Sequence, residues 1–181
     1  MANYRDEFLD ETYYLVSNKW FNNNILFESS DDYKTFILYV IANLLEHPWL
    51  IISAYCILPK SFQLVILNKE KWLKLSNFMR KVQVSYAMYF KKNNMEKEQL
   101  KWVPVFAGRF KASAIEDDEL EYIESCVSFN PVTNESIEDI KDRPYTSAHQ
   151  ITNTGYNYLT QTHIKIYNDG RKINKNCKFK D

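Results

Sequence analysis

The chain has 181 residues, enough for one domain around a single hydrophobic core. With 45% hydrophobic and 25% charged residues and only 3 glycines, its composition excludes a disordered or low-complexity polypeptide. No apolar run reaches the ~18 residues that span a bilayer, and the acidic start MANYRDEFLDE does not read as a secretory leader.

Three scattered cysteines (Cys56, Cys126, Cys177), none in a C-x-x-C pair, fit reduced thiols. The expectation is a soluble, cytoplasmic protein with no membrane partner. The net charge of zero hides a strong pattern. Residues 1–68 carry 4 basic and 8 acidic groups, residues 69–111 carry 11 and 3, residues 112–150 carry 2 and 10, and residues 151–181 carry 6 and 2. Segregation of this kind can build a positive surface on a neutral protein, to which a phosphate backbone responds locally. The alternative is a set of solvated helix faces whose charges interleave in space.

Thr12–Phe21 (TYYLVSNKWF) is rich in aromatic and β-branched residues and predicts a strand, closed by a turn at Asn22–Asn24. Ser29, Ser30, Asp31 and Asp32 offer N-caps for a helix over Tyr33–Glu46, with Phe36, Ile37, Val40, Ile41 and Leu44 at helical spacing and Pro48 beyond its end. Trp49–Leu58 and Ser61–Leu67, split by Pro59 and Lys60, predict an antiparallel strand pair. Lys69–Asn93 predicts a helix whose stripe is Leu75, Met79, Val82, Tyr86 and Tyr89, with Lys74, Lys81 and Lys92 off the stripe. Asn94–Arg109 reads as a loop or short hairpin, and Glu116–Ser128 as an acidic helix closed by Asn130 and Pro131. Residues 151–181, Asn- and Lys-rich, form a polar basic C-terminal extension to a domain over residues 1–150. The order β-α-β-β-α predicts an α+β, ferredoxin-like antiparallel sheet with helices packed on one face.

Five segments in order resemble the REP-associated tyrosine transposases, single-tyrosine members of the HUH superfamily. AYCILPKSFQLVIL (Ala54–Leu67) is similar to A-Y-C-x-M-P-N-H-x-H-x-L, and FMRKVQVSYAMYFKK (Phe78–Lys92) to F-M-R-x-x-x-x-x-Y-x-x-Y-F-N. VFAGRFKASAIEDDELEYI (Val105–Ile123) is similar to W-Q-x-R-F-K-S-x-x-V-x-x-D-E-Y. SFNPV (Ser128–Val132) matches H-x-N-P-V, and RPYTSAH (Arg143–His149) resembles the closing P-W-S-S segment. The resemblance implies recognition of hairpin or single-stranded DNA by a monomer or homodimer. In active members, two histidines two residues apart on a strand chelate a divalent cation, and a tyrosine attacks the phosphate polarised by it.

The departures fall on that centre. The two histidine positions are Ser61 and Gln63, the motif's asparagine is Lys60, and the H-x-N-P histidine is Ser128. A hydroxyl and an amide are poor ligands for transition metals and weak ones for magnesium without carboxylates nearby. His47, His149 and His163 stand at no chelating spacing. The expectation is therefore a DNA-binding protein without metal, cofactor or catalysis. The resemblance aligns Tyr86 and Tyr89 with the family's helix tyrosines, as vestigial nucleophile candidates or simply core. Lys60, Arg80, Lys81, Arg109 and Lys111 are candidate phosphate contacts, competing with ordinary surface ion pairing. Trp102 and Phe106 could stack on bases or pack in the core. The terminal KINKNCKFK is either a basic arm or a solubilising tail. Ser147 and His149 lack a third partner for a hydrolase. Two other readings stay open: a nuclease that binds Mg or Mn through Asp117, Asp118 and Glu119, and a protein-interaction module on the old scaffold.

Overall fold

A computed structural model of the chain describes residues 9–23, 25–69, 74–94, 102–134 and 145–148. The extension over residues 151–181, with KINKNCKFK and His163, lies outside the described residues, as does His149. The strands are β1 (Thr12–Lys19), β2 (Leu50–Leu58), β3 (Ser61–Asn68) and β4 (Lys111–Ile115); the helices are α1 (Ser30–Leu45), α2 (Lys74–Asn93) and α3 (Leu120–Asn134). The four strands form one sheet in the order β2-β3-β1-β4, every neighbouring pair antiparallel. This is the expected ferredoxin-like α+β sheet.

Alternation along the strands creates two faces. Tyr14 and Val16 of β1, Phe62, Leu64 and Ile66 of β3, and Ile52, Tyr55 and Ile57 of β2 join the main core with Phe36 and Val40 of α1 and Phe78, Met79, Val82 and Tyr86 of α2. The intervening residues Ala54, Cys56, Val65 and Ile115 face the other way and pack with Val127 of α3. Ile52 and Ala54 sit on opposite faces although two apart, because a bulge interrupts the β2–β3 register between them. So α1 and α2 cover one face, as expected of the fold, and α3 adds a layer on the other.

Local chemistry sets the helix ends. Ser29 Oγ accepts from the Asp32 amide at 3.3 Å while Asp32 Oδ2 accepts from the Ser29 amide at 2.8 Å, a reciprocal cap that stabilises α1 by about 1 kcal/mol. Helix α3 begins after the acidic turn Glu116–Glu119 and runs past Asn130 and Pro131 to Asn134, so Pro131 does not close it. Burial of Val127 and anchoring of Asn130, described below, offset the amide hydrogen bond that a proline cannot donate. Strand β4 falls beyond the loop expected at Asn94–Arg109 and was not signalled: KASAI has one fully buried residue in five. The β2 edge is covered in turn by residues 145–148. The Ile57 amide donates to the Tyr145 carbonyl at 3.0 Å, Thr146 bridges to Cys56, and the Tyr145 ring stacks on Tyr33 at 4.2 Å. Cys56 is buried on the α3 face of β2.

Candidate nucleic-acid interface

The register of β1 against its neighbours builds the site. Lys111, Ser17, Gln63 and Cys56 are successive Cα partners across the four strands, and Lys19, Ser61 and Leu58 form the next row. Both rows lie on the α3 face, so Ser61 and Gln63 point the same way, as their spacing predicts. Asn130, 2% exposed on α3, donates its Nδ2 hydrogen to Gln63 Oε1. Two residues earlier, the Ser128 hydroxyl lies 2.7 Å from that of Ser147, both buried. A neutral hydroxyl and an amide whose oxygen already accepts a hydrogen bond do not fit a catalytic divalent cation. Among the described residues, no three His, Cys, Asp or Glu side chains converge to hold a metal ion.

The same register gathers cations from distant parts of the chain. Lys19 ends β1, Lys60 sits in the β2–β3 turn, and Arg109 and Lys111 flank the start of β4; all four are exposed. The Trp20 amide donates to the Lys60 carbonyl at 3.0 Å, and the Ala107 amide to the Lys19 carbonyl at 2.9 Å. Asn18, 9% exposed, donates its side-chain amide to the Gly108 carbonyl at 3.0 Å and so ties down the loop that presents Arg109. Gly108 has φ 135°, a conformation closed to most other residues. Arg109 itself reaches Ser76 Oγ at 3.2 Å. Phe90 meets Trp20 edge-on at 4.5 Å, which brings the last turn of α2, with Lys91 and Lys92, to this same end.

Acidic groups collect at the opposite end, where β1 begins (Asp10, Glu11) and β4 ends (Glu116–Glu119). The two ends are about 20 Å apart, six residues of β1 at ~3.3 Å each. Burial, and then the carboxylates of Glu124, Asp117 and Glu11, raise the Tyr13 phenol above its ordinary value. Burial also raises the Glu124 carboxyl above its usual range. A raised carboxyl pKa in the folded state means that its ionised form opposes folding at neutral pH. Glu124→Gln therefore raises Tm at pH 7. The gain fades as pH falls through the raised pKa of Glu124 and is gone below that of the unfolded chain; Tm against pH for both proteins checks it.

No protein-family model matches the chain, and no curated protein matches it. Among solved structures, a REP-associated tyrosine transposase bound to a REP hairpin superposes with a TM-score of 0.68, covering 96% of this chain and 99% of that one at 17% identity. The chain has a tyrosine-transposase-like fold. Weaker likenesses are to a protein described as a transposase from Deinococcus radiodurans (TM-score 0.47, 10% identity, 68% of this chain and 92% of that one) and to a bacterial tRNA(His) guanylyltransferase-like protein in complex with GTP (TM-score 0.44, 14% identity, 75% and 74%).

Within this transposase fold several sequence candidates fall away from Ser61 and Gln63. Tyr86 is wholly buried on the α1/α2 side of the sheet, its hydroxyl donating to the Leu26 carbonyl at 2.9 Å, and Tyr89 beside it donates to Asp32 Oδ1 at 3.2 Å. The sheet stands between both tyrosines and positions 61 and 63, so neither can serve a site there. Burial above all, with Asp32, Tyr89, Tyr33 and Glu28 adding to it, pushes the Tyr86 phenol far above its ordinary value, so it stays protonated. Arg80 and Lys81 belong to the helix layer. Arg80 donates to Asn77 Oδ1 at 2.8 Å, and Lys81 pairs with Glu46 at 2.6 Å.

Phe106 is a core residue against Phe62 and Tyr86, which settles it as packing. His47 is buried with Nδ1 2.7 Å from the Asn43 carbonyl. Asp117, Asp118 and Glu119 lie at the acidic end, too far to rebuild a metal site with Ser61 and Gln63. Trp102, by contrast, is 87% exposed, three residues before Val105, whose carbonyl accepts from the Phe21 amide next to the basic end. Sequence reasoning missed Lys19 and Asn130. The alternation of β1 puts Lys19 on the face of Ser17, and Asn130 stands in the SFNPV segment, but only the strand register shows that both reach positions 61 and 63.

Proposed function

We propose that this protein binds structured or single-stranded DNA through the basic end of its sheet and does not cut it. The observation that carries the reading is the gathering of Lys19, Lys60 and Lys111 around positions 61 and 63, where the side chains present are a hydroxyl and a hydrogen-bonded amide. Cations on a strand end contact phosphates and supply affinity without reading sequence. The likeness to a protein bound to a REP hairpin favours a hairpin or its single-stranded flank as the ligand. Cleavage would need a cation to polarise the phosphate and a nucleophile on the same face. Ser61 and Gln63 fit no such cation, and Tyr86 and Tyr89 are on the far face.

The test is binding of the whole chain to labelled hairpin, single-stranded and duplex DNA, with and without Mg²⁺ or Mn²⁺, followed on a denaturing gel. Salt-sensitive binding of hairpin or single strand, independent of metal and without nicks or covalent adduct, is the expected result. Metal-dependent nicking would sink the reading, and DNA binding absent at low salt would do so as well.

Trp102 gives the interface an optical probe. An indole this exposed beside a basic surface stacks on an unpaired base, worth about 1–3 kcal/mol per base. Trp102→Ala is expected to weaken single-strand binding about tenfold while leaving Tm unchanged. The protein's fluorescence should be quenched on DNA addition, and that quenching reduced in the variant.

A further inference from the structure

The α3 face of the sheet changes character along its length. Towards the end where β1 begins, its two central strands present Leu15 of β1 and Val65 of β3, packed with Ile115 and Val127. Beyond them the same face turns polar. Ser17 and Gln63 are Cα partners there, and Lys19 and Ser61 form the next pair on that face of the same two strands. These four positions make a rectangle about 5 Å across the strands and about 7 Å along them. Ser17, Ser61 and Gln63 are half-buried, and Lys19 is exposed. Lys111 borders the rectangle as the partner of Ser17, and Lys60 precedes Ser61 in the turn.

The donors of this quartet are uncommitted. Among the described residues, the hydroxyls of Ser17 and Ser61 have no hydrogen-bond partner, and Lys19, Lys60 and Lys111 have no carboxylate. Gln63 Oε1 already accepts from Asn130, so the group that Gln63 can offer is its amide nitrogen with two hydrogens. Asn130 is thus the positioning residue that fixes which end of the amide is available. The lysines repel a cation here, and an apolar ligand would strand the donors. A tetrahedral oxyanion accepts from all of them through charge-assisted hydrogen bonds. We infer that Ser17, Lys19, Ser61 and Gln63 seat one phosphate group, with Lys60 and Lys111 beside it. The inference rests on the DNA-binding reading for the source of that phosphate, and it adds a different kind of contact. Flexible lysines attract any phosphate nearby, whereas neutral donors fixed on two strands hold one in a defined place and so set the register of the strand on the protein.

Inorganic phosphate, titrated into the whole chain at constant ionic strength, is expected to move the NMR signals of the Gln63 side-chain amide saturably. Ser17→Ala with Ser61→Ala removes two hydroxyls that have no partner in the fold and alters no charge. That variant should keep the wild-type Tm and bind phosphate about tenfold or more weakly, as the loss of hydrogen bonds to a charged group implies. A wild-type signal that does not move, or that moves alike in the variant, overturns the seat even if the chain binds DNA. Saturable phosphate binding by a chain that binds no DNA supports the seat and sinks the DNA-binding reading alone. Two sets of DNA identify the source. Hairpins with a neutral methylphosphonate at each backbone position in turn should reveal one internal phosphate whose replacement costs about tenfold or more, an effect absent from the variant. A similar gain from a 5′- or 3′-phosphate over a hydroxyl end, again in the wild type only, would assign the seat to a strand end. DNA binding that depends on no single phosphate, internal or terminal, overturns the inference.

Discussion

Replacing Lys19, Lys60 and Lys111 together by alanine is expected to lower hairpin affinity by about two orders of magnitude and to flatten its salt dependence. Each phosphate contact contributes about 0.9 to the slope of log K against log salt for duplex DNA and about 0.7 for a single strand. Losing three contacts should therefore reduce the slope by about 2 to 3. These lysines come from three separate parts of the chain and are all exposed, so each replacement should leave stability within about 0.5 kcal/mol. The control is Lys34→Ala on α1, a lysine already paired with Asp31 at 3.8 Å and on the other side of the sheet, which should change neither affinity nor slope. Binding isotherms at four salt concentrations distinguish the two sets. If the triple variant keeps the wild-type slope, the basic end is not where phosphates bind.

The lysine set also shows what the sequence could and could not reveal. The alternation of β3 was legible, and with it the fact that Ser61 and Gln63 share a face. The stripe of α2 was equally legible, because Leu75, Met79, Val82 and Tyr86 repeat at helical spacing and are all buried. What no local pattern contains is the layer to which a helix is assigned. Periodicity says which side of α2 is buried, not which side of the sheet buries it, so the sequence leaves Tyr86 free to lie near positions 61 and 63, whereas it packs against Phe27 and Phe36 on the other face. Lys19 escaped notice for a related reason. It lies in a net-acidic stretch of chain, and only pairing with Ser61 brings it beside Lys60. Strand β4 escaped because an edge strand half open to solvent needs little apolar alternation. The segregation of charge along the chain maps only partly onto the fold: Lys19 and Lys60 at the basic end come from the net-acidic stretch, while Lys81 of the basic stretch pairs with Glu46 in the helix layer.

The largest effect on stability is expected at Tyr86. Its ring lies 5.1 Å from Phe27, 5.4 Å from Phe36, 5.7 Å from Tyr89 and 6.2 Å from Phe106, centroid to centroid, with no solvent exposure. Tyr86→Ala leaves a cavity among four rigid rings that cannot close over it and strands the Leu26 carbonyl that accepts its hydroxyl. A loss of about 3–5 kcal/mol follows, which lowers Tm by roughly 10–15 °C in a domain of this size. Tyr86→Phe keeps the ring and loses only the hydrogen bond, about 1 kcal/mol and a few degrees. The pair separates a core residue from a nucleophile. Because Tyr86 faces away from Ser61 and Gln63, Tyr86→Phe should bind hairpin DNA within about twofold of the wild type, each tenfold being about 1.4 kcal/mol. A Tyr86→Phe protein that folds at nearly the wild-type Tm yet loses DNA binding, or loses a nicking activity that the wild type has, would place the phenol in the site and reverse the assignment of faces.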